Sequence, residues 1–257
     1  MSNGPEPVLG RPDGRKTGTS LRDWGLGRNG PAGPLLVSLL ATIVATALSY
    51  ALPDSQAATG VGLVFLVFTY LLVLRDADAA TVKESGLSLG GLFEPEPLSP
   101  AQLARSALTA LGWAFAFALV LFPPFWLGFV AWHAPAAHFA PASLLALGRD
   151  VLGQVFGVAF PEEVFFRGYL QSALDRAWPP RFKVFGAPLG PSLLVASAIF
   201  ALGHLSTDPH PARLAVFFPS LVFGVLRART GGVGASIAFH ALCNLFASFL
   251  GRSYGLY

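Results

Sequence analysis

The chain has 257 residues, 53% hydrophobic and 12% charged, with a mean hydropathy of +0.58. Soluble domains carry about 25% charged residues, so a soluble single domain is excluded for want of polar surface, and disorder is excluded for most of the chain by the apolar surface available to bury. The net charge of +3 comes without a Lys/Arg stripe, which argues against nucleic acid as a partner.

The composition is that of a polytopic membrane protein. Residues 1–33 are Gly/Pro-rich, carry Arg11, Arg15, Lys16, Arg22 and Arg28, and read as a flexible cytoplasmic tail without the apolar stretch of a cleavable signal peptide. Apolar segments then recur at 34–52, 57–74, 107–132, 143–175, 190–205, 213–230 and 231–250. Pro123-Pro124 should kink the third. The fourth is long and broken by Pro161, so a kink or an interfacial piece joined to a span is expected there. A re-entrant turn in that region would raise the count to eight. Residues 75–106 form a polar connector ending in a helix start, with Ser99 as cap and Pro100 in the first turn. The expected fold is an all-α transmembrane bundle of about seven, or eight, spans with its active site in the core of the last four. Its expected divisions are the tail 1–33, amino-terminal membrane helices and connector 34–142, a core 143–250 and a short tail 251–257. Cys243, the only cysteine, lies in an apolar run and reads as a small buried hydrophobe.

Orientation follows from the basic residues. With the tail inside and alternating spans, the inner segments hold five in the tail, three in 75–106, three in 176–189 and two in 227–230, thirteen of the 17. The expected localisation is an inner (cell) membrane with the amino terminus cytoplasmic. The Ala/Leu/Gly/Pro-rich style suits a bacterium.

A charge inside a span costs about 2.5–3.5 kcal/mol on insertion scales, so the charges that tolerate this are informative. Pro161-Glu162-Glu163-Val-Phe-Phe-Arg167 places two carboxylates within a Phe-rich segment. Glu163 and Arg167, four apart, share a helix face. Glu162 is rotated about 100° from Glu163, so one carboxylate can be structural while the other points into a cavity. Phe200-Ala-Leu-Gly-His204 ends the fifth span, and His240-Ala-Leu-Cys-Asn244 places two polar groups on one face of the last. From the inner boundary, helical rise puts Glu162, His204 and Asn244 at about 20 Å and His240 at about 14 Å, one layer of the bilayer. Arg149-Asp150 reads as a local pair, and His133, His138 and His210 as loop residues.

A carboxylate with a His can take a proton from water, and a second His with an Asn amide can donate to a developing oxyanion. No Ser or Cys nucleophile has a supporting base. Zinc is the competing chemistry, with Glu162, His204 and His240 as its ligands, but the His-Glu-x-x-His spacing is absent. No cofactor is therefore expected, with zinc as runner-up.

The trio EEVFFR (162–167), FALGH (200–204) and HALCN (240–244) resembles the CPBP family of intramembrane proteases, which includes the type II CAAX prenyl endopeptidases and Abi-type immunity proteins. The resemblance covers residues 143–250. It implies a glutamate-dependent endopeptidase in which Glu162 activates water with His204, His240 and Asn244 form an oxyanion hole, and Glu163 and Arg167 organise the site. The implied substrate is a membrane-anchored protein or peptide, in protein sorting or anchor trimming; a CAAX substrate is not implied. The alternative is a non-catalytic immunity or scaffolding protein of the same fold.

Overall fold

A computed structural model of the chain describes residues 21–94 and 96–256. Helix α1 (Leu21–Gly25) is followed by α2 (Ala32–Ala51) and α3 (Asp54–Leu74), whose last five residues are π-wound. A short α4 (Ala79–Glu84) precedes the long α5 (Pro100–His133). Helix α6 runs through 144–177, with π-wound stretches at Gly153–Ala159 and Val164–Gln171. A hairpin of β1 (Phe182–Val184) and β2 (Ala187–Leu189) leads to α7 (Pro191–Thr207), α8 (Pro211–Thr230) and α9 (Gly234–Ser253).

Each of the seven apolar segments read from the sequence coincides with one of these helices. Five of them, α2, α3, α5, α8 and α9, are long and apolar enough to cross a membrane, and α7 is apolar but only 17 residues long. The stretch in which a re-entrant turn would have added an eighth span is helical from 144 to 177. Ser99 caps α5 as expected, its hydroxyl accepting from Gln102 N–H at 3.4 Å with Pro100 in the first turn. Pro123 and Pro124 lie inside α5 without ending it.

Three readings need correction. The fold is not purely α-helical: β1 and β2 pair antiparallel, with Phe182 opposite Leu189 and Val184 opposite Ala187. Phe185 and Gly186 form the two-residue turn with φ of 48° and 79°, the pair of positive angles that suits strand twist. Ala187 and Leu189 are buried against Leu193, which holds the hairpin on α7. Residues 21–31 are not a loose tail but a docked one. Tyr169 Oη donates to Gly25 O at 2.9 Å, and Arg176 Nε donates to Leu26 O at 2.8 Å. Gly27 (φ 77°) comes so close to α6 that a Cβ there would lie 2.2 Å from Ala173 O. The remainder of the expected tail, 1–20, lies outside the described residues. The connector 75–106 is not merely polar, because it sends Val82 and Leu87 into the core. Leu87 packs on Gly168 so closely that a Cβ there would meet its Cδ2 at 2.4 Å.

The core is built from aromatic contacts between helices. Phe165 of α6 stacks on Phe65 of α3 with centroids 5.0 Å apart, and Phe122 of α5 on Phe246 of α9 at 4.2 Å. Asp150 does not pair with its neighbour Arg149; its Oδ2 lies 2.6 Å from Arg252 Nη2, which ties α6 to the end of α9. These contacts hold α6 between α3, α7 and α9, where its charged middle becomes the centre of the molecule.

Candidate active site

Pro161 has no N–H to give the carbonyl of Gly157, so the helix ahead of it cannot keep regular α hydrogen bonding. The π-wound stretch Gly153–Ala159 takes up this mismatch, and a second follows at Val164–Gln171. Glu162 and Glu163 stand between the two. Such bulges are frequent at functional sites.

The two carboxylates diverge. Glu163 is fully buried and lies with Oε2 3.4 Å from Arg167 Nε and Oε1 3.0 Å from His240 Nδ1. Arg167 is also fully buried. Its Nη2 donates to Ser220 O at 2.9 Å and Ser220 Oγ at 2.7 Å, and its guanidinium lies 5.0 Å from the Phe200 ring centroid and 5.5 Å from that of Phe223. The His240 ring stacks on Phe223 with centroids 4.6 Å apart and 15° between planes. Glu163, Arg167 and His240 thus form one buried unit joining α6, α8 and α9.

Glu162 turns the other way, onto the wall of a cavity of about 830 Å³. Its Oε2 is buried and has no hydrogen-bond partner within the protein. His204, His240 and Asn244 line the same cavity. His240 Nε2 lies 3.9 Å from Glu162 Oε2, too far for a direct hydrogen bond but close enough for one water beside them to touch both. His204 Nδ1 lies 3.0 Å from Phe200 O. A carbonyl only accepts, so Nδ1 carries the proton and Nε2 is the nitrogen left to exchange one.

The structure therefore brings Glu162, His204, His240 and Asn244 to one space and places Glu163 and Arg167 behind it. It differs from the sequence reading in three respects. His240 hydrogen-bonds Glu163 and approaches Glu162, whereas the sequence grouped it with Asn244 alone. Asn244 Nδ2 donates at 2.9 Å to Gln154 Oε1, a residue the sequence reading passed over. The signal for Gln154 was a lone amide within an apolar run. Finally, the site is not enclosed by the last four helices alone, since α2 and α3 supply a wall through Thr42, Thr46, Asp54 and Phe65. Thr46 Oγ1 lies 2.6 Å from Ser206 Oγ, and Tyr50 Oη donates to Ser206 O at 3.1 Å, which fastens α2 to α7 beside the cavity.

The residues that would hold a zinc ion are Glu162, His204 and His240. Among the described residues, no three His, Cys, Asp or Glu side chains are grouped so as to hold a metal ion. Glu162, His204 and His240 share the cavity, and the Nδ1 of His240 is committed to Glu163, which leaves its Nε2 facing the cavity.

A family model described as Type II CAAX prenyl endopeptidase Rce1-like matches residues 144–246. The match contains all three motifs. This segment belongs to the CPBP family. No curated protein and no solved structure matches the chain. The Rce1-like segment covers α6, the hairpin, α7, α8 and most of α9, while α2, α3 and α5 lie outside it. Together with its five long apolar helices, the match marks an integral membrane protein.

The buried unit sets a stability test. Glu163→Gln leaves Arg167 buried with its carboxylate partner gone, and breaking a buried pair in this way costs about 3–5 kcal/mol. The expected outcome is a markedly lower unfolding midpoint for Glu163→Gln in detergent than for the wild-type protein. An unchanged midpoint would show that Ser220 and the two Phe rings suffice to hold the guanidinium.

Proposed function

We propose that the protein is an intramembrane endopeptidase that cleaves a peptide bond of a membrane-anchored protein by glutamate-activated water. The observation that supports this most directly is the buried, unpartnered Oε2 of Glu162 on a cavity wall shared with His204, His240 and Asn244. On this reading a water between Glu162 and His204 gives a proton to the carboxylate as its oxygen bonds to the peptide carbonyl carbon. The carbonyl π electrons move onto oxygen, and the resulting oxyanion accepts from Asn244 Nδ2 and from Nε2 of a protonated His240, whose other proton is held by Glu163. Collapse breaks the C–N bond, and the proton on Glu162 passes to the leaving nitrogen. Glu163 and Arg167 touch no substrate and act by holding His240.

The name of the matching family points to a prenylated substrate, while the polar residues of the cavity recognise the peptide bond alone. The reading therefore stays at a membrane-anchored peptide. Glu162→Gln is expected to abolish cleavage while expression and unfolding midpoint stay near wild type. The readout is proteomics of membrane-protein termini in cells carrying either form. A variant that cleaves at a near-normal rate removes Glu162 as the base, and one lost from the membrane makes it a packing residue of a non-catalytic protein.

The same chemistry requires no metal. Exhaustive chelation and dialysis are expected to leave activity unchanged. Loss of activity reversed by zinc alone would overturn this and require the cavity to rearrange around Glu162, His204 and His240.

The cavity extends to Tyr50, Asp54, Asp208 and Arg213, at the end of the bundle away from the hairpin. The distribution of Lys and Arg supports a cytoplasmic hairpin end, and on that reading cleavage belongs near the extracytoplasmic surface. In a Cys243→Ser background, single cysteines at the exposed His210 and Leu256 are expected to react with an impermeant thiol reagent in intact cells, and one at the exposed Lys183 to stay protected. The reverse pattern moves the cut to the cytoplasmic side.

A further inference from the structure

We infer that Gln154 is a positioning residue for hydrolysis, acting by fixing which way the Asn244 carboxamide faces. The inference rests on the peptidase reading above and concerns a residue outside all three sequence motifs. Gln154 lies in the π-wound stretch of α6 and lines the same cavity as Glu162 and Asn244. Its Oε1 accepts a hydrogen bond from Asn244 Nδ2 at 2.9 Å, across 90 residues of chain.

The π winding explains how Gln154 reaches this position. Eight residues of ideal α-helix turn about 800°, which would leave Gln154 about 80° from the face of Glu162. A π turn absorbs about one extra residue, making the separation equivalent to seven, or about 700°, within about 20° of two whole turns. Gln154 and Glu162 thereby share the cavity face of α6, two turns apart. The bulge ahead of Pro161 thus does more than accommodate a missing hydrogen bond. It aligns the carboxylate of one end of the site with the amide partner of the other.

The hydrogen bond matters because a carboxamide is two-faced. The terminal torsion of Asn is broad and roughly two-fold, so packing alone does not choose between oxygen and nitrogen. Only the nitrogen can stabilise an oxyanion. Gln154 Oε1 takes one Nδ2 proton, which fixes the nitrogen on that side and leaves the second proton for a ligand. Without this acceptor the carboxamide can turn over and present oxygen lone pairs to the oxyanion. The consequence falls on the transition state more than on bound substrate, because the charge on oxygen develops only there.

The test uses the full-length enzyme in bilayers with a cleavable membrane-anchored peptide reporter, and the variants Gln154→Met, Gln154→Glu, Asn244→Ala and Gln154→Met/Asn244→Ala. Gln154→Met keeps the size and loses the acceptor. It is expected to lower kcat about tenfold, less than the loss of an oxyanion donor itself, with KM within about twofold. Gln154→Glu keeps an accepting oxygen in either protonation state and is expected to recover activity to within about threefold of wild type. In the Asn244→Ala background Gln154→Met is expected to add less than about twofold, since its effect passes through the missing amide. A full additional loss there, or an unchanged kcat in the single variant, overturns the assignment.

A second readout does not depend on turnover. The chain has three asparagines, Asn3, Asn29 and Asn244, so ¹⁵N-asparagine labelling gives an Asn244 side-chain resonance identified by its loss in Asn244→Ala. That resonance is expected to shift in Gln154→Met and to stay near its wild-type position in Gln154→Glu; no shift in Gln154→Met overturns the pairing. Equal cleavage by wild type and Glu162→Gln removes the peptidase reading, and the role of the pair in hydrolysis with it. An inactive Glu162→Gln beside a fully active Gln154→Met removes the Gln154 assignment alone.

Discussion

The arrangement of this protein depends on burying one guanidinium. Arg167 is fully removed from solvent, and its charge is met by Glu163, by the carbonyl and hydroxyl of Ser220, and by the faces of Phe200 and Phe223. Such a group is tolerated only when its partners are supplied together, because the desolvation of an unpaired charge exceeds the gain from any single contact. The partners come from α6, α7 and α8, so these helices have little freedom to move relative to one another. Glu163 then passes the constraint to α9 through His240. Once Glu163 is committed to Arg167, its neighbour Glu162 must point about 100° away. That direction is the cavity. The position of Glu162 therefore follows from a charge pair in which it takes no part.

The family match and the cavity do not coincide in extent. The matched segment supplies Glu162, His204, His240 and Asn244, but the opposite wall comes from α2 and α3. These two helices are joined to the segment by tight contacts of small groups. A Cβ on Gly62 of α3 would lie 3.0 Å from Gly157 O. Hydroxyl groups do similar work where α2 meets α7. In an apolar medium, packing and interhelical hydrogen bonds replace the hydrophobic drive between helices, and both kinds of contact occur along this wall. The space over the polar residues is thus shaped by sequence outside the motifs. Differences in substrate preference among proteins sharing this segment are expected to arise in α2 and α3 more than in the motifs themselves.

Much of this was legible from the chain itself, for physical reasons that can be named. Apolar segment length is set by bilayer thickness, so the helices were readable as runs. Ser99 and Pro100 carry their own local capping chemistry. The spacing of Glu163 and Arg167 implies a shared face in any helix, and the pair is found. The misses share a different cause. Hydrogen bonding in α6 departs from the α pattern at Pro161, and no residue signature announces a π turn. Readings that assumed 3.6 residues per turn therefore gave no reason to group Gln154 with Glu162. The Phe185-Gly186 turn requires a positive φ at a phenylalanine, which no propensity suggests. Docking of residues 21–31 depends on carbonyl acceptors at Gly25 and Leu26, and carbonyls are the same in every sequence. Asp150 found Arg252 rather than Arg149 because helix neighbours at successive positions point about 100° apart.

The charges of the site also bear on how the proposed reaction would hold its protons. Glu162, Glu163 and Arg167 sum to one negative charge when ionised, and a protonated His240 makes the group neutral. On the proposed reading, His240 carries that proton on Nε2, which lies 3.9 Å from Glu162 Oε2. When Glu162 takes a proton from water, the forming oxyanion replaces its negative charge, and a protonated His240 still faces one anion. The charge of the enclosed group is conserved while the reacting charge moves from carboxylate to oxyanion. Glu163 makes this possible by holding the Nδ1 proton of His240, so that Nε2 alone meets the cavity. On the proposed reading its role is to hold a protonated His240 in place without competing for the water, which a carboxylate on the cavity wall could not do.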